Sequence, residues 1–176
     1  MPRLFVAIRP PEPVRAALLD AMGGVERARW QGDEQLHLTL AFVGESGGAQ
    51  AEDLIEALAE VESAVFHAEV AGVGHFERKG APTALWAGVP LTAPLAQLHR
   101  RVERACRRAG LGPEKRAYHP HITLARLPRS AGAIGGWLST NGTLRAEPWD
   151  VTGFTLYESH LLRDGSLYRP LVEYEF

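Results

Sequence analysis

The residues best suited to chemistry occur as a repeated tetrapeptide, His37-Leu38-Thr39-Leu40 and His121-Ile122-Thr123-Leu124, about half a chain apart. Two copies of a His-apolar-Thr-apolar string arise by chance in only ~0.2% of chains with this composition, so the pair calls for a cause. An imidazole exchanges protons near neutral pH because its unperturbed pKa is near ~6.5. Two imidazoles can fill the roles of general base and general acid in one reaction. Threonine hydroxyls two residues on add two hydrogen-bond donors to the same pocket. Which histidine is acid and which is base stays open at this level.

Strand geometry explains the spacing. Successive side chains on a β-strand point to opposite faces, so His and Thr share one face while the apolar residues share the other. Leu36, Leu38 and Leu40 would anchor the first copy to a core, as Ile122 and Leu124 would the second. His67, His75, His99 and His160 carry no motif and read as surface or structural. His119 shares a strand face with His121, so His37, His119 and His121 could form a zinc site of neutral imidazoles. No Asp or Glu lies beside either motif to support a metal, and neither metal nor cofactor is expected. Phe5, Trp30, Phe42, Trp86 and Tyr118 are core by default, with one or two near the motifs available to stack a nucleobase.

Composition narrows the partners. A net charge of −2 over 176 residues excludes a protein that coats nucleic acid through a broad basic surface. A small anionic end group remains a suitable target. The densest basic run, Arg100, Arg101, Arg104, Arg107 and Arg108 followed by Lys115 and Arg116, reads as a solvated helix face, with guidance of an RNA backbone as the minority reading. No apolar run approaches the ~20 residues of a membrane span, and Arg3-Leu4-Phe5-Val6-Ala7-Ile8 opens the chain without a signal pattern. A cytoplasmic location is expected. The single cysteine, Cys106, fits a reducing compartment and reads as a small buried helix residue.

The elements that must position the motifs follow from periodicity and punctuation. Arg3 to Arg9 predicts a strand, and Pro13 opens a helix with Val14, Ala17, Leu18 and Ala21 on one side, closed by Gly23-Gly24. The first motif strand is expected at Leu36 to Val43. Gly47-Gly48 then leads into a helix carrying Leu54, Ile55, Leu58 and Val61. His67 to Phe76 and Thr83 to Val89 predict two strands around a Lys79-Gly80 turn. Leu91, Leu95, Leu98, Val102 and Ala105 make a helical stripe ending at Gly110, with a turn at Gly112-Pro113. Tyr118-His119-Pro120 enters the second motif strand, where proline suits a strand beginning. Ser130 to Trp137 is weakly helical; Asp150 to Leu162 and Leu167 to Phe176 predict closing strands around Arg163-Asp164-Gly165-Ser166. No linker is evident, and the expectation is one α+β domain over residues 1–176.

The residues around the motifs add a likeness. Leu4-Phe5-Val6-Ala7-Ile8, Trp30, Phe42-Val43-Gly44, Leu85-Trp86-Ala87-Gly88-Val89, Pro120 to Arg126, and Leu156-Tyr157-Glu158-Ser159 with Gly165 and Tyr168 resemble the two-histidine phosphoesterases. Specifically, the chain is similar to the RNA 2′,3′-cyclic phosphodiesterases once called 2′-5′ RNA ligases. The resemblance implies two pseudo-symmetric lobes with antiparallel sheets forming a central cleft, helices outside, and no cofactor. It implies His37 and His121 as catalytic residues and Thr39, Thr123 and Arg126 as phosphate ligands. Strict alternation from His121 sends position 126 to the core face, so that role for Arg126 requires the strand to end or bulge first. Gln31-Gly32-Asp33-Glu34-Gln35 stands where members often carry a Pro-Glu-Asn type turn.

Three functions are compatible with these residues: hydrolysis of RNA or nucleoside 2′,3′-cyclic phosphates to 2′-phosphomonoesters, ATP-independent 2′-5′ RNA joining in the same pocket, and a non-catalytic RNA-end binding module. The expected partner is RNA with a 2′,3′-cyclic phosphate end, tRNA fragments being candidates, acted on by a monomer. Binding alone would not require two titratable rings, which weighs against the third function.

Overall fold

The computed structural model describes residues 3–112 and 115–176, so Pro113 of the expected Gly112-Pro113 turn lies outside the described residues. In chain order the elements are β1 (Arg3–Ile8), α1 (Glu12–Asp20), β2 (Arg29–Trp30), a 3-10 turn (Asp33–Gln35), β3 (Leu38–Glu45), α2 (Gly48–Ala59), β4 (Phe66–Ala68), β5 (Val73–Arg78), β6 (Ala81–Gly88) and α3 (Ala93–Arg108). There follow β7 (His121–Arg126), α4 (Gly135–Asn141), β8 (Trp149–Val151), β9 (Gly153–Leu162) and β10 (Gly165–Glu175). Eight strands form one sheet in the order β10-β9-β1-β3-β7-β6-β5, with β2 added to β7, and β4 pairs with β8 separately. Every pairing between these strands is antiparallel.

The α+β class and two-lobed plan hold, with one particular at the centre. β3 backed by β1 and β9 corresponds to β7 backed by β6 and β5, and the halves join at one residue pair, Leu38 opposite Ile122. A continuous core runs beneath both halves. Leu4, Val6, Ile8, Leu38, Leu40, Leu85, Ala87, Ile122 and Leu124 meet Leu54 and Leu58 of α2 and Leu95, Leu98 and Val102 of α3 there. A second, small cluster of Phe5, Ala7 and Tyr157, with Tyr168 against it, is separate from that core. Because Phe5 and Ala7 alternate with Leu4, Val6 and Ile8, it occupies the other face of the sheet.

Local sequence accounts for the elements. In α3 the Leu95-Leu98-Val102-Ala105 stripe is buried, the Thr92 side chain accepts from the Leu95 amide (3.4 Å), and Arg107 and Arg108 occupy the last turn, where cations oppose the helix dipole. Lys79 (φ 52°) and Gly80 (φ 76°) both take the left-handed conformation of a two-residue hairpin between β5 and β6. Three strand expectations are corrected. His67 to Phe76 is two strands, β4 and β5, in different sheets, divided where Gly72 turns at φ 75° and its amide is captured by the Leu144 carbonyl. Asp150 to Leu162 likewise divides at Thr152 into β8 and β9. The first motif strand starts at Leu38, leaving His37 just ahead of it. The helix expected from Ser130 begins later, at Gly135, and Trp137 anchors it with an indole N–H to the Ala21 carbonyl (2.8 Å). No described helix is long and apolar enough to cross a membrane.

Candidate active site

The junction of the halves builds the site. With Leu38 opposite Ile122, continuing the antiparallel register by one residue in each direction would bring His37 level with Thr123 and His121 level with Thr39. Leu38, Leu40, Ile122 and Leu124 are at most 1% exposed and hold both strands to the core, which turns His37, Thr39, His121 and Thr123 to the opposite face.

Both motif strands bulge at the same place. Ala7 pairs with Thr39 and Val6 with Ala41, skipping Leu40; Trp86 pairs with Thr123 and Leu85 with Ala125, skipping Leu124. The extra residue resets the alternation. Leu124 and Ala125 are both buried, and exposed Arg126 returns to the face of His121 and Thr123. The phosphate-binding role expected of Arg126 is therefore sterically open to it. In the first motif the equivalent position is Phe42, 51% exposed beside Phe5, so the site has a cation on one side and an aromatic ring on the other.

The bulged carbonyls are held from outside the pair. His99 Nδ1 donates to the Leu40 carbonyl (2.8 Å), and the Gln31 amide donates to that of Leu124 (2.8 Å). The Tyr118 hydroxyl donates to the Thr39 carbonyl (2.8 Å), while its ring stacks on His99 at 3.8 Å and 5°. Burial pushes the Tyr118 phenol well above its usual range, which keeps it a proton donor.

Each catalytic candidate has its own enclosure. His37, 7% exposed, lies edge-on among Tyr157 (4.6 Å between ring centres), Tyr168 (5.5 Å) and Phe5 (6.0 Å). This burial pulls its pKa down to about 4; the Gln35 backbone opposes the effect, and the Arg9 and Arg15 charges add to it. His37 Nδ1 is buried with no partner in hydrogen-bond geometry. His121 lies among Phe76 (4.8 Å), Trp86 (6.1 Å) and His119 (5.9 Å). Burial lowers its pKa too, against the His119 carbonyl, with His119 and Arg126 lowering it further. His121 Nδ1 lies 2.6 Å from that carbonyl. A carbonyl can only accept, so Nδ1 carries the proton of the neutral ring and Nε2 is left with its lone pair for a substrate.

The expected residues thus gather on one face: His37, Thr39, His121, Thr123 and Arg126. His119 packs on Trp86 at 4.8 Å. Among the described residues, no three His, Cys, Asp or Glu side chains are grouped as a metal ion requires, so His37, His119 and His121 do not make the three-histidine cage. His67, His75 and His160 pair with Asp150, Glu77 and Glu158. Cys106 is buried in α3, which raises its thiol to about 11. Of the aromatics, Phe5, Phe42 and Trp86 belong to the site, and Trp30 packs on Trp137 (5.8 Å). Reading by motif passed over Phe76, Tyr157 and Tyr168 as walls of the imidazole pockets. Strand pairing accounts for the tyrosine side: Tyr157 pairs with Phe5, and Phe5 with Phe42, along one row of the sheet.

Comparison with known proteins places the chain in a family. The sequence profile of the 2′-5′ RNA ligase superfamily matches residues 7–162. An RNA 2′,3′-cyclic phosphodiesterase of Aeropyrum pernix is 35% identical over 144 residues, spanning 80% of this chain and 82% of that protein. A Thermus thermophilus protein of the same name is 34% identical over 188 residues, spanning 98% and 89%. The crystal structure of Escherichia coli LigT complexed with 3′-AMP superposes with a TM-score of 0.78 at 27% identity, covering 99% of this chain and 98% of that one. The chain belongs to the 2′-5′ RNA ligase superfamily.

Proposed function

We propose that this protein is an RNA 2′,3′-cyclic phosphodiesterase that opens the ring to a 2′-phosphomonoester by metal-independent acid-base catalysis with His37 and His121. The observation that supports the reading is the single Leu38–Ile122 pairing between the two motif strands, with Leu38, Leu40, Ile122 and Leu124 in the core and the alternating His and Thr positions on the other face. One imidazole takes a proton from the attacking water. The other gives a proton to the departing ribose 3′-oxygen, which must leave opposite the water in an in-line displacement. Thr39 and Thr123 donate to the non-bridging oxygens, and Arg126 adds a charge-assisted contact. The relatives named above as RNA 2′,3′-cyclic phosphodiesterases support the substrate.

Two titratable rings in apolar boxes cost solvation, and phosphate recognition alone would be better served by permanent cations, so a binding-only module fits less well. RNA joining would use the same groups in reverse. Water at solvent concentration outcompetes a ribose hydroxyl unless both RNA ends are held, which favours hydrolysis. Phosphorus NMR of the product from adenosine 2′,3′-cyclic phosphate tests the reading. A single 2′-phosphate resonance is expected, and a 3′-phosphate or a mixture would overturn the regiochemistry.

A further inference from the structure

Arg9 is a cation that the mechanism above does not use. Ile8 pairs with Leu38 and Ala7 with Thr39, so continuing the register past the end of β1 brings Arg9 level with His37, on the side away from the second motif. Its alternation with Phe5 and Ala7 puts it on the site face. The charge of Arg9 lowers the pKa of His37, and it is among the groups acting on Tyr157. Asp33 holds it: Arg9 Nη2 lies 3.1 Å from Asp33 Oδ2, and Arg15 Nε lies 2.8 Å from Oδ1. Arg15 also donates to the Pro10 carbonyl (2.8 Å). One carboxylate shared by two guanidiniums leaves the trio with one net positive charge. Arg15 is the more enclosed, structural member, at 16% side-chain exposure, whereas the Arg9 side chain is 39% exposed.

Resting on the proposed function, we infer that Arg9, braced by Asp33, binds the 5′-phosphodiester of the terminal nucleotide, so that the site favours an RNA end over an isolated nucleoside cyclic phosphate. The reacting phosphate belongs over the β3–β7 junction, between the two histidines. Arg9 starts one strand further out, two strand spacings or roughly 10 Å from β7, where a neighbouring phosphate of the same chain would lie. At the reacting phosphate, Arg126 already supplies a guanidinium. A fork of N–H donors suits a phosphodiester, and preorganisation by Asp33 reduces the ordering cost.

The test compares adenosine 2′,3′-cyclic phosphate with its 5′-phosphorylated form. The readout is the ratio of the two kcat/KM values in wild type, Arg9→Gln and Arg9→Lys. Taking the ratio cancels any general loss of activity or of folded protein. The expected preference for the 5′-phosphorylated form is about tenfold, the factor one partly exposed charge-assisted hydrogen bond supplies. It should carry mainly through KM, collapse toward one in Arg9→Gln and be partly restored in Arg9→Lys. A wild-type ratio near one, or a ratio unchanged by Arg9→Gln, would overturn the inference. Calorimetric binding of adenosine 2′-monophosphate against adenosine 2′,5′-bisphosphate asks the same question without turnover. If neither cyclic nucleotide is hydrolysed but the bisphosphate binds about tenfold tighter through Arg9, the phosphate site stands and the proposed function falls.

Discussion

Removing one wall of the His37 pocket should move that ring's titration upward. The pKa of His37 is depressed to about 4 from an ordinary 6.5, chiefly by burial. At about 1.4 kcal/mol per pH unit, the whole depression corresponds to roughly 3 kcal/mol. Three rings enclose the imidazole, and Tyr168 is the one lying outside the fully buried set. Tyr168→Ala admits water to one side and should raise the His37 pKa by roughly one unit, about a third of the total. The sign for stability follows. Between pH 6.5 and 4 the unfolded chain binds a proton that the folded ring refuses, so the His37 contribution is whole above 6.5 and is lost as pH falls toward 4. Wild type should therefore weaken over that window, and Tyr168→Ala should weaken less steeply despite lower stability at pH 7. Histidine ring NMR titration and denaturant unfolding at pH 5 and 7 measure the two effects. A His37 midpoint still near 4 in a folded Tyr168→Ala would refute burial as the cause and shift the weight to Arg9 and Arg15.

Four further outcomes are expected. The pH profile of kcat/KM should be bell-shaped with its maximum below neutrality, because burial lowers both histidines; a plateau through pH 8, with chemistry rate-limiting, would contradict paired roles. Gly74→Ala drives a Cβ into the Trp86 indole and should cost about 1–3 kcal/mol with an altered tryptophan emission; unchanged unfolding and emission would count against that packing. Arg126→Gln should lower kcat/KM about 10- to 100-fold, a loss that would be absent if the bulge failed to present the guanidinium to the phosphate. Tyr118→Phe removes the donor to the Thr39 carbonyl and should cost about 1–2 kcal/mol of stability, read by denaturant titration.

Much of this arrangement was legible because the motif and the fold obey the same period of two. Leu38, Leu40, Ile122 and Leu124 announced the core face, and His37, Thr39, His121 and Thr123 the other. The α3 stripe was equally plain: Leu95, Leu98, Val102 and Ala105 fall on one buried face, whereas Leu91, expected with them, precedes the helix and is exposed. Arg126 was ambiguous because a bulge leaves no mark in alternation: Leu124-Ala125 is simply two apolar residues in a row, and only the pairing with Leu85 and Trp86 shows which one is extra. The division of His67 to Phe76 was hidden because β4 pairs with β8, far along the chain, while β5 pairs with its hairpin neighbour β6, so one stretch of sequence serves two sheets. Tyr157, Tyr168 and Phe76 became site residues only through sheet order. The β10-β9-β1-β3 sequence brings positions 5, 37, 157 and 168 together, a non-local outcome that no window along the chain contains.

The central claim is that two histidines brought together at the Leu38–Ile122 junction hydrolyse a cyclic phosphodiester without a metal. Steady-state turnover of adenosine 2′,3′-cyclic phosphate in excess EDTA, by wild type, His37→Ala and His121→Ala, tests it most directly. Wild-type activity should be unaffected by the chelator, and each variant, folded by circular dichroism, should lose about 10²- to 10⁴-fold in kcat. Near-wild-type turnover by either folded variant, or loss of wild-type activity in EDTA that added zinc restores, would contradict the account.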